Sequence, residues 1–285
     1  MQKRGLAFRK TIDIVLKGLS ILFVALTVFM MFWILYTVIS NGVKALNWSF
    51  LTQPTKPYGI PDGGVLNALL GTVIITFGAV LIGVPAGLLG GIYLAEFAKE
   101  NRLGNLIRFS ANVMMGIPSI IVGLFVYALL VFTTKHFSGL TGSVALSIIM
   151  FPVVLRTTED MLRMVPDSLR ESALALGMPR WKATFSIICR AAKTGLITGI
   201  LLAIARVSGE TAPLLFTAQC SDSWPGSYFT QPTANLTVLI NEYAGNSPFE
   251  EMHVRAWGAA LLITAAILIL NISCRFIFKE SKSAK

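Results

Sequence analysis

The feature that most constrains this chain is a series of long blocks that are apolar and almost free of charge. Residues 19–39 carry no charged side chain at all. At 1.5 Å per residue a helix of that length spans about 30 Å, the thickness of a bilayer's hydrocarbon core. Only closed hydrogen bonding survives in lipid, so such a block is a helix. Five more blocks follow at about 70–92, 112–132, 140–155, 195–217 and 256–274. The fourth is short for a span and contains Pro152. The first exceeds the 7–15 apolar residues of a secretory leader and precedes no small-residue cleavage pattern, so it reads as a retained span. The expectation is an all-α, polytopic membrane protein with six transmembrane helices, forming one domain over 1–285.

Charge placement orients the spans. Only 13% of the 285 residues are charged, yet the net charge is +10. With the N-terminus inside, the cytoplasmic segments hold Lys3, Arg4, Arg9, Lys10 and Lys17; then Lys99, Arg102 and Arg108; then Arg156, Arg163, Arg170, Arg180, Lys182, Arg190 and Lys193; and finally Arg275, Lys279, Lys282 and Lys285. The outer segments hold four, Lys44, Lys56, Lys135 and Arg255. This bias places both termini in the cytoplasm. It also accounts for the basic composition without nucleic acid. Arg206 is left over, inside the fifth block.

Cys189, Cys220 and Cys274 show no CxxC spacing, and His136 and His253 lie apart in outer loops, so neither a metal site nor a cofactor is expected. Trp48 and Trp257 fall near span ends, as interfacial anchors do, while Trp33 lies rather deep in the first span. Gly83, Gly87 and Gly91 recur every four residues, with Pro85 among them, and make a stripe suited to close helix packing. Pro118, in Gly116-Ile-Pro-Ser119, should kink the third span. In the outer loop of about 218–255, Pro225-Gly226 marks a turn, and 236–244 reads as a short re-entrant helix.

Two constellations carry function. The first lies in the cytoplasmic loop of about 156–194. Ser168 and Glu171 have capping-box spacing, Ala173–Leu176 continues a helix, Gly177 stops it and Pro179 forbids its continuation. A second helical run follows over about 180–192. A short rigid helix at the cytoplasmic face can act as a lever for a partner or can lie as an ordinary loop helix on the membrane. The second constellation is Arg206-Val-Ser-Gly-Glu-Thr-Ala-Pro213. On a continuous helix Arg206 and Glu210 share a face with Gly209 and Pro213. Counted from Gly195, Arg206 lies about 17 Å along the span. A charge at that depth costs about 2.5–3.5 kcal/mol on insertion scales and usually meets a partner or a water-filled path. A guanidinium suits a tetrahedral oxyanion. Arg206 and Glu210, with Ser208 and Thr211 in the same run, are therefore candidates for a translocation path. The other reading of the pair is a structural ion pair between helices.

These residues also carry a resemblance. Glu171-Ser-Ala173 followed by Gly177 is similar to the Glu-Ala-Ala-x-x-x-Gly loop of ABC importer permeases, with Ser172 in place of the usual Ala and Cys189-Arg190 where a hydrophobic-Pro ending is usual. Arg206–Pro213, Gly116–Phe125 and Gly91–Phe97 resemble segments of the phosphate importer permeases, and the likeness covers about 60–275. It implies the architecture of a type I ABC importer permease in a bacterial inner membrane, with Glu171, Ser172, Ala173 and Gly177 docking an ATPase. The implied partners are a second, homologous permease, a dimer of ATP-binding subunits and an external phosphate-binding protein. The chain itself has no GxxxxGK[ST] loop, and not even one Gly-Lys pair, so ATP hydrolysis is expected in a separate subunit. A permease for sulfate or molybdate, or an independent carrier or channel, are the rival readings. The latter would need its own coupling-ion site, often with internal repeats, and no repeat is visible.

Overall fold

The computed structural model describes residues 2–57, 60, 63–99 and 101–277. The basic tail residues Lys279, Lys282 and Lys285 lie outside the described residues. Among the described residues the structure is helical, with no strand. The chain runs through α1 (Gln2–Gly42), α2 (Trp48–Thr52), α3 (Leu66–Ile92), α4 (Arg102–Gly116), α5 (Ser119–Val126), α6 (Gly139–Arg163), α7 (Asp167–Ala175), α8 (Arg180–Ala183), α9 (Lys193–Ser208), α10 (Ala212–Thr217), α11 (Leu236–Asn241) and α12 (Glu250–Ile277). Wide π turns extend α3 over Tyr93–Phe97, α5 over Tyr127–Val131, α8 over Thr184–Ile188 and α11 over Glu242–Asn246.

Four helical stretches are long and apolar enough to cross a membrane unbroken: Phe8–Ala45, Leu66–Phe97, Gly139–Arg163 and Glu250–Ser273. Two further spans arise if each bent pair counts as one: Arg102–Gly116 with Ser119–Thr134, bent by 101°, and Arg180–Ala191 with Lys193–Ser208, bent by 74°. Four of the six blocks of the sequence thus appear as intact helices; the third is broken at Pro118, and the fifth, 195–217, falls on α9 and α10 with a break at Gly209 that is distinct from the 74° bend before Lys193.

Two span expectations change. The fourth span is not short: α6 has 25 residues, about 37 Å at helical rise. The sequence reading stopped it at Arg156, but that guanidinium meets Glu159 one turn later on the same helix, at 2.6 Å, and the helix runs on. The third span is not kinked but broken. Pro118 holds the preceding residue extended, with Ile117 at ψ 129°, so α4 ends at Gly116 and a new helix starts at Ser119.

The centre of the molecule is the pair α3 and α6. The Gly83/Gly87/Gly91 stripe is buried along this contact. A Cβ on Gly87 would lie 2.8 Å from the Val154 Cβ, and one on Gly91 would lie 2.5 Å from the Thr158 Cβ. Ile75, Ala79, Leu146, Met150 and Val154 continue the core, which Ala203, Val207 and Leu214 join from the fifth span. By contrast α1 is exposed over its whole length from Phe8 to Ile34 and meets the body only near Gly42, against Trp257 and Leu261 of α12. Its apolar surface runs all round, as lipid or a membrane partner requires.

Candidate functional site

The run 206–213 does not form a continuous helix. Ser208 is the last residue of α9; Gly209 and Glu210 close the end with short-range bonds to Arg206 O (3.3 Å) and Val207 O (3.1 Å). Pro213 stands in the first turn of α10, where a missing N–H costs nothing. The carbonyl of Glu210, freed by the break, accepts a 3.0 Å bond from the Thr237 hydroxyl of α11. The outer-loop helix therefore satisfies the backbone that the break leaves open, as apolar surroundings demand.

The two broken spans meet. A Cβ on Gly123 of α5 would lie 2.6 Å from the Cα of Pro213, so the half-helices beyond the breaks touch backbone to backbone. Beneath that contact a cavity of about 250 Å³ is lined by Met114, Met115, Ile117, Pro118, Ser119 and Val122 from the third span, Ile148, Ile149 and Val153 from α6, and Arg206 and Glu210. Arg206 and Glu210 are the two ionisable groups in that lining. Arg206 is exposed and Glu210 half-buried, and among the described residues neither side chain has a hydrogen-bond or ion-pair partner. The ion pair that the other reading of these two residues required is not formed, because the break after Ser208 removes Glu210 from the helix that carries Arg206. Ser208 bonds back to Ile204 O and lines a separate apolar groove with Ala205 and Ile263. Thr211 lies in the break and is not part of the cavity lining.

On the loop side, α7 begins after Pro166, not at a capping box. Pro166 is already the N-cap, which places Ser168 inside the first turn, where its carbonyl receives the Ser172 hydroxyl at 2.8 Å. The C-terminal end follows the expectation. Gly177 has φ +77°, its N–H bonds Leu174 O at 2.9 Å, and the Met178 N–H bonds Ala173 O at 3.2 Å. This pairing closes the last turn and needs a residue tolerant of the left-handed region. Ala173 is buried, while Glu171 and Ser172 face outward. Glu171 lines a groove of about 330 Å³ with Glu96, Lys99, Arg170, Leu174 and Arg180. Leu174, Leu176, Trp181 and Phe185 are exposed beside it.

Sequence reasoning missed the ion pairs behind this surface. Arg170 is bidentate to Glu96, donating from Nη2 to Oε1 at 2.8 Å and from Nε to Oε2 at 3.2 Å, and bonds the carbonyls of Leu162 and Val165. Glu96 keeps the Arg170 proton bound more tightly than usual, and a hydrogen bond from Lys99 holds the exposed Asp167 carboxyl below the ordinary carboxylate value. Deeper in, Glu159 is fully buried and receives Arg108 (2.6 Å), Arg156 (2.6 Å) and Arg163 (2.8 Å). The spacing Arg156–Glu159–Arg163 on one helix was a visible signal; Arg108 and Glu96 gave none.

Residues 83–280 match the family described as binding-protein-dependent transport system inner membrane component. The chain is 46% identical over 275 residues, 96% of each protein, to the phosphate transport system permease protein PstA of Haemophilus influenzae. It is 42% identical to the PstA of Yersinia pestis, over 99% of this chain and 95% of that one. The chain belongs to the PstA family. More distant PstA relatives include PstA 1 of Mycobacterium tuberculosis, 37% identical over 86% of this chain and 80% of its own. The fold is shared with the inward-facing MetNI methionine ABC transporter, at a TM-score of 0.60 and 17% identity, over 75% of this chain and 92% of that one. The PstA family thus has the helical architecture of a type I ABC importer permease, and this member is a multi-pass membrane protein.

Proposed function

We propose that this chain is the membrane-spanning permease subunit of an ATP-driven phosphate importer and forms half of the translocation path. One observation carries the proposal: the Arg206 guanidinium, deep in a span, faces a cavity between two broken helices with no protein counter-charge bound to it. A charge at that depth in a membrane without a partner is costly. An oxyanion reaching the cavity would supply the partner through the planar fork of the guanidinium. Glu210, beside it but not bonded to it, supplies the like charge that would keep the anion from staying. The name of the relatives favours phosphate over sulfate or molybdate; the mid-span guanidinium suits any of the three.

In this scheme the other half of the path comes from a second, PstC-like permease. A dimer of PstB-like ATP-binding subunits docks on Glu171, Ser172, Ala173 and Gly177 of the α7 region, and its apolar contact is with the exposed Leu174, Leu176 and Trp181. A PstS-like binding protein delivers phosphate at the outer face. Both termini lie in the cytoplasm, and ATP hydrolysis belongs to the partner. The test is phosphate uptake in vesicles holding the whole assembly, with wild type, Arg206→Gln and Glu171→Ala, alongside recovery of the ATPase. The expected result is loss of uptake with the ATPase still bound for Arg206→Gln, and weakened ATPase binding or coupling for Glu171→Ala. Normal uptake by Arg206→Gln would remove Arg206 from the path, and uptake inhibited equally by sulfate or molybdate would overturn the choice of phosphate.

A further inference from the structure

The docking helix and the cavity are joined by directed bonds between buried charges. Arg170 is carried by α7 and is only 11% exposed; Glu96, its partner, is 8% exposed. Beyond Glu96, this one guanidinium bonds the carbonyls of Leu162 (2.6 Å) and Val165 (2.5 Å) at the end of α6, and Asp167 at 3.1 Å. α7 is thereby tied to the inner ends of both α3 and α6. Glu96 stands in the π turn Tyr93–Phe97. The carbonyls of Leu94 and Ala98, on either side of it, both accept from Arg108 Nη2 at 2.9 Å. Arg108 belongs to α4, and its Nε holds the buried Glu159 at 2.6 Å. Six residues further along α4, about 9 Å at helical rise, stands Met114, followed by Met115, in the wall of the Arg206 cavity.

The side-chain links in this series are charge-assisted, oriented bonds, which resist displacement in a way that apolar contact does not, and short stretches of helical backbone join them. The series runs through the inner ends of α3 and α6, which the glycine contacts hold closely together, so a pull on α7 reaches both helices and α4 with them.

We infer that Glu96, Arg108 and Arg170 are positioning residues that pass a displacement of the docking helix to α4, and so to the inner wall of the Arg206 cavity. The inference rests on the proposed function, since it needs an ATPase to move α7. It also needs energetic coupling, because adjacency alone does not establish a path.

The experiment uses proteoliposomes with the complete assembly, and measures phosphate uptake and ATP hydrolysis in the same vesicles. Glu96→Gln keeps the shape but removes the charge. Arg108→Lys keeps a charge for Glu159 but lacks the fork that reaches both carbonyls as well. The double variant completes a cycle. Each single variant should lower phosphate carried per ATP about fivefold, the scale of measured coupling changes, with ATPase recovery unchanged. Because the two residues lie in one series, the double variant should be no worse than the more severe single. A purely structural role predicts that uptake and hydrolysis fall together and their ratio stays at the wild-type value. A wild-type ratio in Arg108→Lys, or losses that multiply in the double variant, would overturn the inference. If Glu96→Gln fails to assemble, the ratio in Arg108→Lys decides alone. Wild-type vesicles that carry no phosphate would defeat the function instead, and are told apart by that control.

Discussion

Around Glu159 three guanidiniums, of Arg108, Arg156 and Arg163, share one fully buried carboxylate. Around Arg206 a single guanidinium faces a cavity whose one carboxylate, Glu210, it does not touch. The residue types are the same and the surroundings differ. At the inner end of α6 these four charges are spent on one another, so the region is held. In the middle of the fifth span the charges are left unspent, so the region is available to something that is not protein. Removing a charge from the first region should damage the fold; removing one from the second should damage only what the fold does.

The strongest way to break this contrast is Glu159→Ala. Three arginines would lose a shared partner, and one-sided loss of a buried ion pair costs about 3–5 kcal/mol. Thermal or denaturant unfolding in detergent should show it, and a loss well under 1 kcal/mol would mean the cluster is not what holds the region. Next in size is Gly91→Leu, where the new Cβ would meet Thr158 at 2.5 Å; overpacking of this kind costs about 1–3 kcal/mol, read by the same unfolding measurement. Gly177→Ala should cost about 1 kcal/mol, because φ is +77° while the space around it is open, so the penalty is conformational rather than steric. It should appear as faster hydrogen exchange at the end of α7 and weaker ATPase recovery.

Smaller again is the acid response of α7. The Asp167 carboxyl is held below its ordinary 3.8 by Lys99 and then Arg170. A depressed carboxylate adds stability above the unfolded value and loses it as pH falls through the folded one. The protection factors of the α7 amides, taken against intrinsic exchange at each pH, should therefore stay constant from pH 7 to 5 and fall only below about 3.8, the unfolded value. The smallest effect sharpens the contrast most. Arg206→Gln should leave unfolding unchanged within about 0.5 kcal/mol, as for substitutions that remove no protein contact. A large destabilisation there would make Arg206 structural after all.

The intact spans were legible in the sequence because apolar length and charge placement act locally and additively. The glycine stripe was legible for the same reason: a period of four is a helix face, and the structure presses that face onto α6. The Gly177 stop was readable because only a few residue types accept its backbone. The two breaks were not. At Pro118 a kink and a full break satisfy the same residue, and the choice falls to packing against Pro213. At Gly209 the Arg206–Glu210 spacing favours a continuous helix, and it loses to a hydroxyl 27 residues away, on Thr237, that accommodates the freed carbonyl. The start of α7 was misplaced because Pro166, two residues before Ser168, sets the boundary first. Glu96 and Arg108 needed partners 74 and 51 residues away, Arg170 and Glu159, and no local spacing reports such distances.

The Gly123–Pro213 contact has a consequence for how the protein is made. The third span reaches the membrane while the fifth is still unsynthesised, yet its bent form leans on a proline that lies 90 residues downstream. A non-helical turn facing lipid is not tolerated alone. The third span must therefore wait, either straight or sheltered by the insertion machinery, until residue 213 has entered the bilayer. Ribosome-arrested chains that end before residue 213 should hold this segment in a different shape from chains that end after it.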